Sequence, residues 1–510
     1  MNDSRSAPGP LGDLDPSAFR SSGLQILDWV ARYLAGDGEY PVLSRLAPGE
    51  IRNALPVAAP EHGAPMEEIL RDFQRILVPG LTHWNHPRFF AYFSSSGSAP
   101  GVLGEFLTAA LNQQAMLWRT SPVATELEAV VLGWLRQSVG LPESFEGVLY
   151  DGGSASNLHA LIAARHLAVA RVRSDGLAGR SDVPALRVYC SEHGHSSIDK
   201  AAIVLGLGQK GLRKVAVDEE YRMRADALED ALREDDAAGV LPVAVVATVG
   251  TTSTSSIDPV PAIADLCRAR GVWLHVDASY AGPAAMVPEH SWIFDGVSRA
   301  DSLVMNPHKW LFTPLDASAF YCRRMDILRS ALALTPAYLE ARESGSVQDL
   351  MDTGIALARR FRALKLWMVM RSFGAAGLRA RIAEHVRLAR LFAQWVDQDA
   401  SFERLAPVPL SVVCFRAAPR GVDADALDRL NELLLERVNA SGEVFLSHTR
   451  LDGRVALRLA IGQVRTREAD VAAAWGILKA KLDEVRRLTH PPAVAGPSEP
   501  ARREDSGVSG

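Results

Sequence analysis

Short apolar runs alternate with longer amphipathic stretches through the middle of the chain. Runs at 147–150, 186–190, 212–217, 242–249, 272–276 and 302–305 have the length and β-branched character of buried strands. Between them, apolar positions recur at helical spacing over 125–139, 158–170, from 198 onward and over 259–270. Thr125-Glu-Leu-Glu128 has the form of a capping box at the start of the first of these helices. Strands and helices in this rhythm predict an α/β domain whose mostly parallel sheet is covered on both faces.

The pattern changes on either side. Beyond about 366, a strand at 410–415, a helix at 423–438, strands at 443–448 and 455–460 and a helix at 466–488 describe a smaller α+β unit. Before 98 there are helices and few strand signals. Leu24, Leu27, Ala31 and Leu34 place an apolar stripe on a helix at 19–34 that has no partner nearby in sequence. The expected organisation is an N-terminal helical arm at 1–98, a large domain at 99–366 and a small domain at 367–489. Residues 1–16 and 490–510 are rich in Pro, Gly, Ser and charge, and read as disordered tails.

Composition narrows the class. The chain has 510 residues, too many for one core, and 48% hydrophobic with 23% charged residues is a soluble globular balance. With 55 basic against 60 acidic side chains and a formal charge of −5, no clustered basic face points to nucleic acid or a membrane surface. The N-terminus lacks a basic-then-apolar signal pattern, and no apolar run approaches the roughly 20 residues of a membrane span. Cys190, Cys267, Cys322 and Cys414 are far apart, as expected of reduced buried thiols in a cytoplasmic protein.

Chemistry-bearing residues gather where strands end. Gly206-Leu-Gly208-Gln-Lys-Gly211 spells a dinucleotide fingerprint, but a strand follows it where a helix is required, so it reads as a turn. Gly152-Gly-Ser-Ala-Ser-Asn157 lies between a strand and a helix, where glycines and hydroxyls beside free N–H groups suit a phosphate. Asp277 falls at the end of the run at 272–276, His195 beyond 186–190, and Lys309 in Met-Asn-Pro-His-Lys-Trp after 302–305. Taken singly, each has an ordinary reading: a cap, a turn carboxylate, a structural histidine, a surface lysine. No third ligand stands near His193 and His195 at metal spacing, so no metal is expected. Together, a phosphate loop, a carboxylate, an imidazole and an amine at successive strand ends fit pyridoxal 5′-phosphate (PLP).

The segments Thr82–Phe93, Ser121–Glu128, Gly152–Ser156, His195–Ser197, Ala247–Thr252, His275–Gly282, Asn306–Trp310 and Arg359–Trp367 occur in the order and spacing of a known family. From about residue 20 to 488 the chain resembles the group II PLP-dependent decarboxylases, most of all their aromatic-L-amino-acid branch. That resemblance implies the aspartate aminotransferase-like PLP-dependent transferase fold (fold type I) and a homodimer whose N-terminal helices embrace each other.

It also implies roles. Lys309 would tie the cofactor covalently, Asp277 would keep its ring nitrogen protonated, and His195 would stack on its face. Ser154, Ala155, Ser156, Asn306 and His308 would surround the phosphate, with Thr252 near the ring hydroxyl and Ser279 beneath the ring. Tyr338 aligns with the loop tyrosine that returns a proton to Cα. Trp84, Tyr92, Phe93, Ser95, Met116 and Ala358 would shape the substrate pocket. Ser94-Ser95 replaces a common Pro-Thr, Met116 replaces an aromatic that reaches across the dimer in animal relatives, and Ala358 replaces Gly or Ser. Changes of a few atoms discriminate by only about 1–3 kcal/mol, so tryptophan, tyrosine, dopa and phenylalanine all stay open. An aldehyde-forming oxidative variant, decarboxylation of a non-aromatic amino acid, transamination or another PLP reaction on the same scaffold, and a non-catalytic PLP-binding protein are the alternatives.

Overall fold

The computed structural model describes residues 12–36, 40–334 and 347–489. A seven-stranded sheet holds β1 (Glu146–Tyr150), β2 (Leu186–Ser191), β3 (Leu212–Val215), β4 (Leu241–Thr248), β5 (Trp273–Asp277), β6 (Ser302–Met305) and β7 (Ser318–Cys322). Their order is β1-β7-β6-β5-β4-β2-β3, and β7 alone runs against the others. Alternate residues of the strands serve two cores. Leu274, Val276, Leu303 and Met305 join the core on one face, whereas Trp273, Val246 and Phe320 join the core on the other. Burial on both faces explains why the strands read as continuous apolar runs.

A second sheet, with strands β8 (Phe402–Arg404), β9 (Val412–Ala417), β10 (Ser447–Leu451) and β11 (Arg454–Ala460), is antiparallel in the order β10-β11-β9-β8. Asp452 and Gly453, both at positive φ (51° and 79°), make the tight connection between β10 and β11. The helix Ala363–Gln398 runs from the large sheet's surroundings to the small sheet's core, with a break at Gly374 (φ 62°, ψ 165°). The expected boundary at 366/367 therefore falls inside a helix.

Several local expectations are corrected. The helix expected from Thr125 starts at Pro122, and Thr125 Oγ1 donates to the Ser121 carbonyl at 3.2 Å. Glu128 caps nothing. It is buried, accepts from the Leu149 N–H at 2.8 Å and pairs with Arg359 at 2.8 Å, so a tertiary contact claims the side chain that the capping pattern needed. The Gly152–Asn157 segment is not a loop before a helix at 158; the helix Gly153–Ala168 begins within it. Strands β7 and β8 are additional to the sequence reading. The arm helix is Pro16–Ala35, capped by Asp15, whose Oδ1 accepts from the Ser17 and Ala18 N–H groups at 2.8 and 3.1 Å. Phe19, Leu24 and Leu27 stay exposed on it. Among the described residues no helix is long and apolar enough to cross a membrane.

Candidate active site

Neighbouring strands β5 and β6 deliver the two charged groups. Asp277 is the last residue of β5, and opposite it β6 runs through Met305 into the short helix Pro307–Trp310, which lifts Lys309 above the sheet's carboxyl edge. Burial works against the Asp277 carboxylate. The Ser279 N–H at 3.0 Å, the Asn157 amide at 2.8 Å and nearby Lys309 and His275 outweigh it and hold the group below its ordinary pKa. Lys309 is pushed the other way. Burial lowers its pKa, Asp277 opposes the shift, and the Arg458 guanidinium adds to it.

A helix N-terminus opens into the same cavity, of about 250 Å³. Gly152 precedes the helix Gly153–Ala168 without a side-chain cap, leaving first-turn N–H groups for a ligand. A Cβ on Gly153 would lie 2.8 Å from Asn306 Nδ2 and 2.9 Å from Ser279 Oγ, so only glycine leaves this corner open. Ser154, Asn306 and His308 line the cavity beside it. His308 Nδ1 accepts from the Ala317 N–H at 2.9 Å, and burial, helped by Lys309, pushes its pKa down to about 3. Ala155 and Ser156 do not line the cavity. Ser156 Oγ meets Ser318 Oγ at 2.7 Å, and Ser318 donates to Asn306 Oδ1 at 2.6 Å, so Ser156 braces Asn306 from behind.

His195 forms the opposite wall. It caps the helix Ser196–Val204, its Nδ1 accepting from the Ser197 N–H at 3.1 Å and facing Ser197 Oγ at 2.8 Å. Burial lowers its pKa, with Lys309 adding and Asp277 opposing. Thr252 and Ser279 also line the space. Phe93 closes one side at the head of a column of rings. It stacks on Tyr280 at 3.7 Å and Tyr280 on Trp310 at 4.7 Å, and the Trp310 indole N–H donates to His385 Nδ1 at 3.0 Å. Lys309 Nζ lies 5.5 Å and Arg458 Cζ 4.6 Å from the Phe93 ring centre.

The other expected substrate residues sit outside this cavity in the single chain. Trp84 and Tyr92 form an exposed aromatic pair 6.0 Å apart. Ser95 is half-buried, Met116 packs beside Leu117 and Met351, and Ala358 is exposed. Tyr338 lies outside the described residues. The sequence reading missed Asn157, Ser197, His275, Tyr280 and Arg458. Asn157 stood inside a quoted motif and His275 inside another, but nothing in their spacing announced that they meet.

An uncapped helix N-terminus, a buried carboxylate kept ionised, and a lysine driven toward its free amine suit one kind of ligand. It carries a phosphate, a basic ring nitrogen and an aldehyde, and PLP has all three.

The pyridoxal-dependent decarboxylase conserved domain matches residues 48–418. A phenylacetaldehyde synthase of Rosa hybrid cultivar is 39% identical over 91% of this chain and 94% of its own length. Tyrosine decarboxylase 4 of Petroselinum crispum is 40% identical over 93% of this chain and 95% of its own. A crystal structure of Oryza sativa TDC with PLP and tryptamine superposes with a TM-score of 0.89 at 36% identity, covering 93% of this chain and 99% of that one.

Proposed function

The chain belongs to the pyridoxal-dependent decarboxylases, PLP enzymes of fold type I, and from that membership we propose how its residues decarboxylate an aromatic L-amino acid. The observation that carries the reading is the convergence of Lys309, Asp277 and the open helix end at Gly153 on one cavity. Bound PLP supplies a protonated ring that draws in the electrons of the breaking bond between Cα and the carboxylate. Lys309 is the amine that holds the cofactor covalently. Asp277 keeps the proton on the ring nitrogen, and its hydrogen bonds maintain it as an anion able to do so. The N–H groups at Gly153 and Ser154, with Asn306 and His308, receive the phosphate; Thr252 and Ser279 border the ring.

His195, which lines the cavity, would pack on the cofactor ring, and the Phe93–Tyr280–Trp310 column keeps water from one side. Tyr338 returns a proton to Cα, giving amine and CO₂. The aldehyde-forming outcome is the second reading, because one relative at 39% identity is a phenylacetaldehyde synthase.

A homodimer completes the pocket. Leu103, Phe106, Leu107 and Leu111 are all exposed on the helix Ala99–Leu111, as Phe19, Leu24 and Leu27 are on the arm helix. A second copy covering these faces brings further walls to the cavity, with Trp84, Tyr92, Ser95, Met116 and Ala358 as the residues that shape it. All four cysteines are separate buried thiols, which supports a reducing, cytoplasmic setting.

The deciding experiment is CO₂ release from purified protein with PLP over aromatic, acidic and diamino acids, with amine and aldehyde separated in the same run. Aromatic substrates are expected to give amine. Peroxide and aldehyde in step with CO₂ would select the second reading, and release from acidic or diamino acids alone would overturn the aromatic assignment. Lys309→Ala is expected to abolish the visible absorbance of the bound cofactor, and Tyr338→Phe to divert product toward aldehyde.

A further inference from the structure

Behind Asp277 runs a chain of hydrogen bonds whose direction is set by the carboxylate. At one end the Trp273 indole, which can only donate, gives its Nε1–H to Ser302 Oγ at 2.9 Å. Ser302 Oγ then meets His275 Nδ1 at 2.8 Å, and His275 Nε2 meets Asn157 Oδ1 at 2.8 Å. The Asn157 amide nitrogen faces Asp277 Oδ2 and Ser197 Oγ, each at 2.8 Å. Ser197 Oγ finally reaches His195 Nδ1.

The Asp277 carboxylate only accepts, so the Asn157 amide nitrogen faces it and the Asn157 oxygen faces His275 Nε2, which therefore carries the proton of the neutral ring. His275 Nδ1 is then left to accept from the Ser302 hydroxyl, which in turn accepts from Trp273. Both amide hydrogens of Asn157 are then spent on Asp277 and Ser197, and the Ser197 hydroxyl donates to His195 Nδ1. A flipped amide would set its oxygen against the Asp277 carboxylate, acceptor against acceptor.

We infer that Asn157 is a positioning residue, oriented by His275, that aims the Asp277 carboxylate at the cofactor's ring nitrogen. The same amide holds Ser197, whose backbone N–H and hydroxyl meet His195 Nδ1. His275 is fully buried, which pushes its pKa down to about 4 and keeps it the neutral donor that the chain requires. The inference rests on Asp277 being the ring nitrogen's partner, and the test separates the two.

The measurement is the chemical shift of an isotope-labelled ring nitrogen in reconstituted enzyme, which reports its protonation directly, together with the cofactor's dissociation constant. Asn157→Leu keeps the volume and removes both donors. The expected result is a shift displaced toward the unprotonated value, with cofactor bound about tenfold more weakly. An unchanged shift with a dissociation constant within about twofold of the parent, which is too small for a lost hydrogen bond to a carboxylate, would overturn the role of Asn157. His275→Phe is expected to act in the same direction more weakly. Added to Asn157→Leu it should cost nothing further, since His275 acts only through the amide; additive losses would overturn that link. Should Asn157→Leu not fold, His275→Phe decides alone, and an unchanged shift there is the refuting result. An unprotonated ring nitrogen in the parent enzyme would refute the reading of Asp277 itself.

Discussion

At Lys309, burial drives the ammonium toward its free amine, Asp277 pulls it back, and Arg458 adds to the drive, with the balance below the ordinary lysine value. That makes more of the nucleophile available near neutrality than a surface lysine offers. The adjoining phosphate corner is limited by shape more than by charge. Gly153→Ala is expected to bring a methyl into contact with Asn306 and Ser279 and weaken PLP binding about tenfold while the fold stays intact, because a small overpacking costs about 1–3 kcal/mol. Equilibrium dialysis against PLP checks it. Lys309 and Asp277 were legible in sequence because a strand-end position combines with a distinctive side chain. Asn157 was not, because its meaning comes from partners at Ser197 and Asp277, 40 and 120 positions away.

Among the elements, the helix Pro122–Ser138 shows how a local pattern loses to a distant partner. Glu128 had the spacing of a capping glutamate, yet it is held by Arg359 and the Leu149 N–H, with the two side chains only 3% and 5% exposed. Removing the cation alone leaves a buried anion, so Arg359→Met is expected to cost about 3–5 kcal/mol in urea unfolding. The central strands β4 and β6 were readable because burial on both faces makes each a nearly uninterrupted apolar run. β7 escaped notice although it is fully buried between β1 and β6. Five residues of Ser-Ala-Phe-Tyr-Cys carry no period that separates a strand from a turn of helix. The helix at Gly153 was placed too late for a related reason. Glycine and serine are poor helix formers, and this helix is held by packing of Ala160, Leu161 and Ala163 in the core.

For the molecule as a whole, the exposed apolar faces of Pro16–Ala35 and Ala99–Leu111 are the surfaces that the proposed dimer would cover. Leu103→Asp with Leu107→Asp is expected to give a monomer in light scattering where the parent gives a dimer, and to remove activity with it. Acid should loosen the fold through its buried histidines. His159, His275 and His385 are each pushed by burial to about 4, against 6.5 ordinarily. Above pH 6.5 both states are neutral and their full contribution is present. As pH falls from 6.5 toward 4 only the unfolded chain takes up protons, at a cost of about 1.4 kcal/mol per pH unit for each group. His86 and His308, lowered to about 4 and about 3, act in the same direction, so Asp258, raised by burial to about 6 and opposite in sense below that value, is one group against five. The melting temperature is therefore expected to fall between roughly pH 6.5 and 4.5.

The column of Phe93, Tyr280 and Trp310, hydrogen-bonded through the Trp310 indole to His385, joins the N-terminal segment, the large sheet and the linking helix. It also has an optical meaning. Trp310 is the residue after Lys309 and fully buried, and its indole lies behind the Tyr280 ring that lines the cavity. Light absorbed by that indole can pass to the bound cofactor instead of being emitted. Of the chain's ten tryptophans, Trp310 is thus built in as a gauge of how much of the enzyme is loaded.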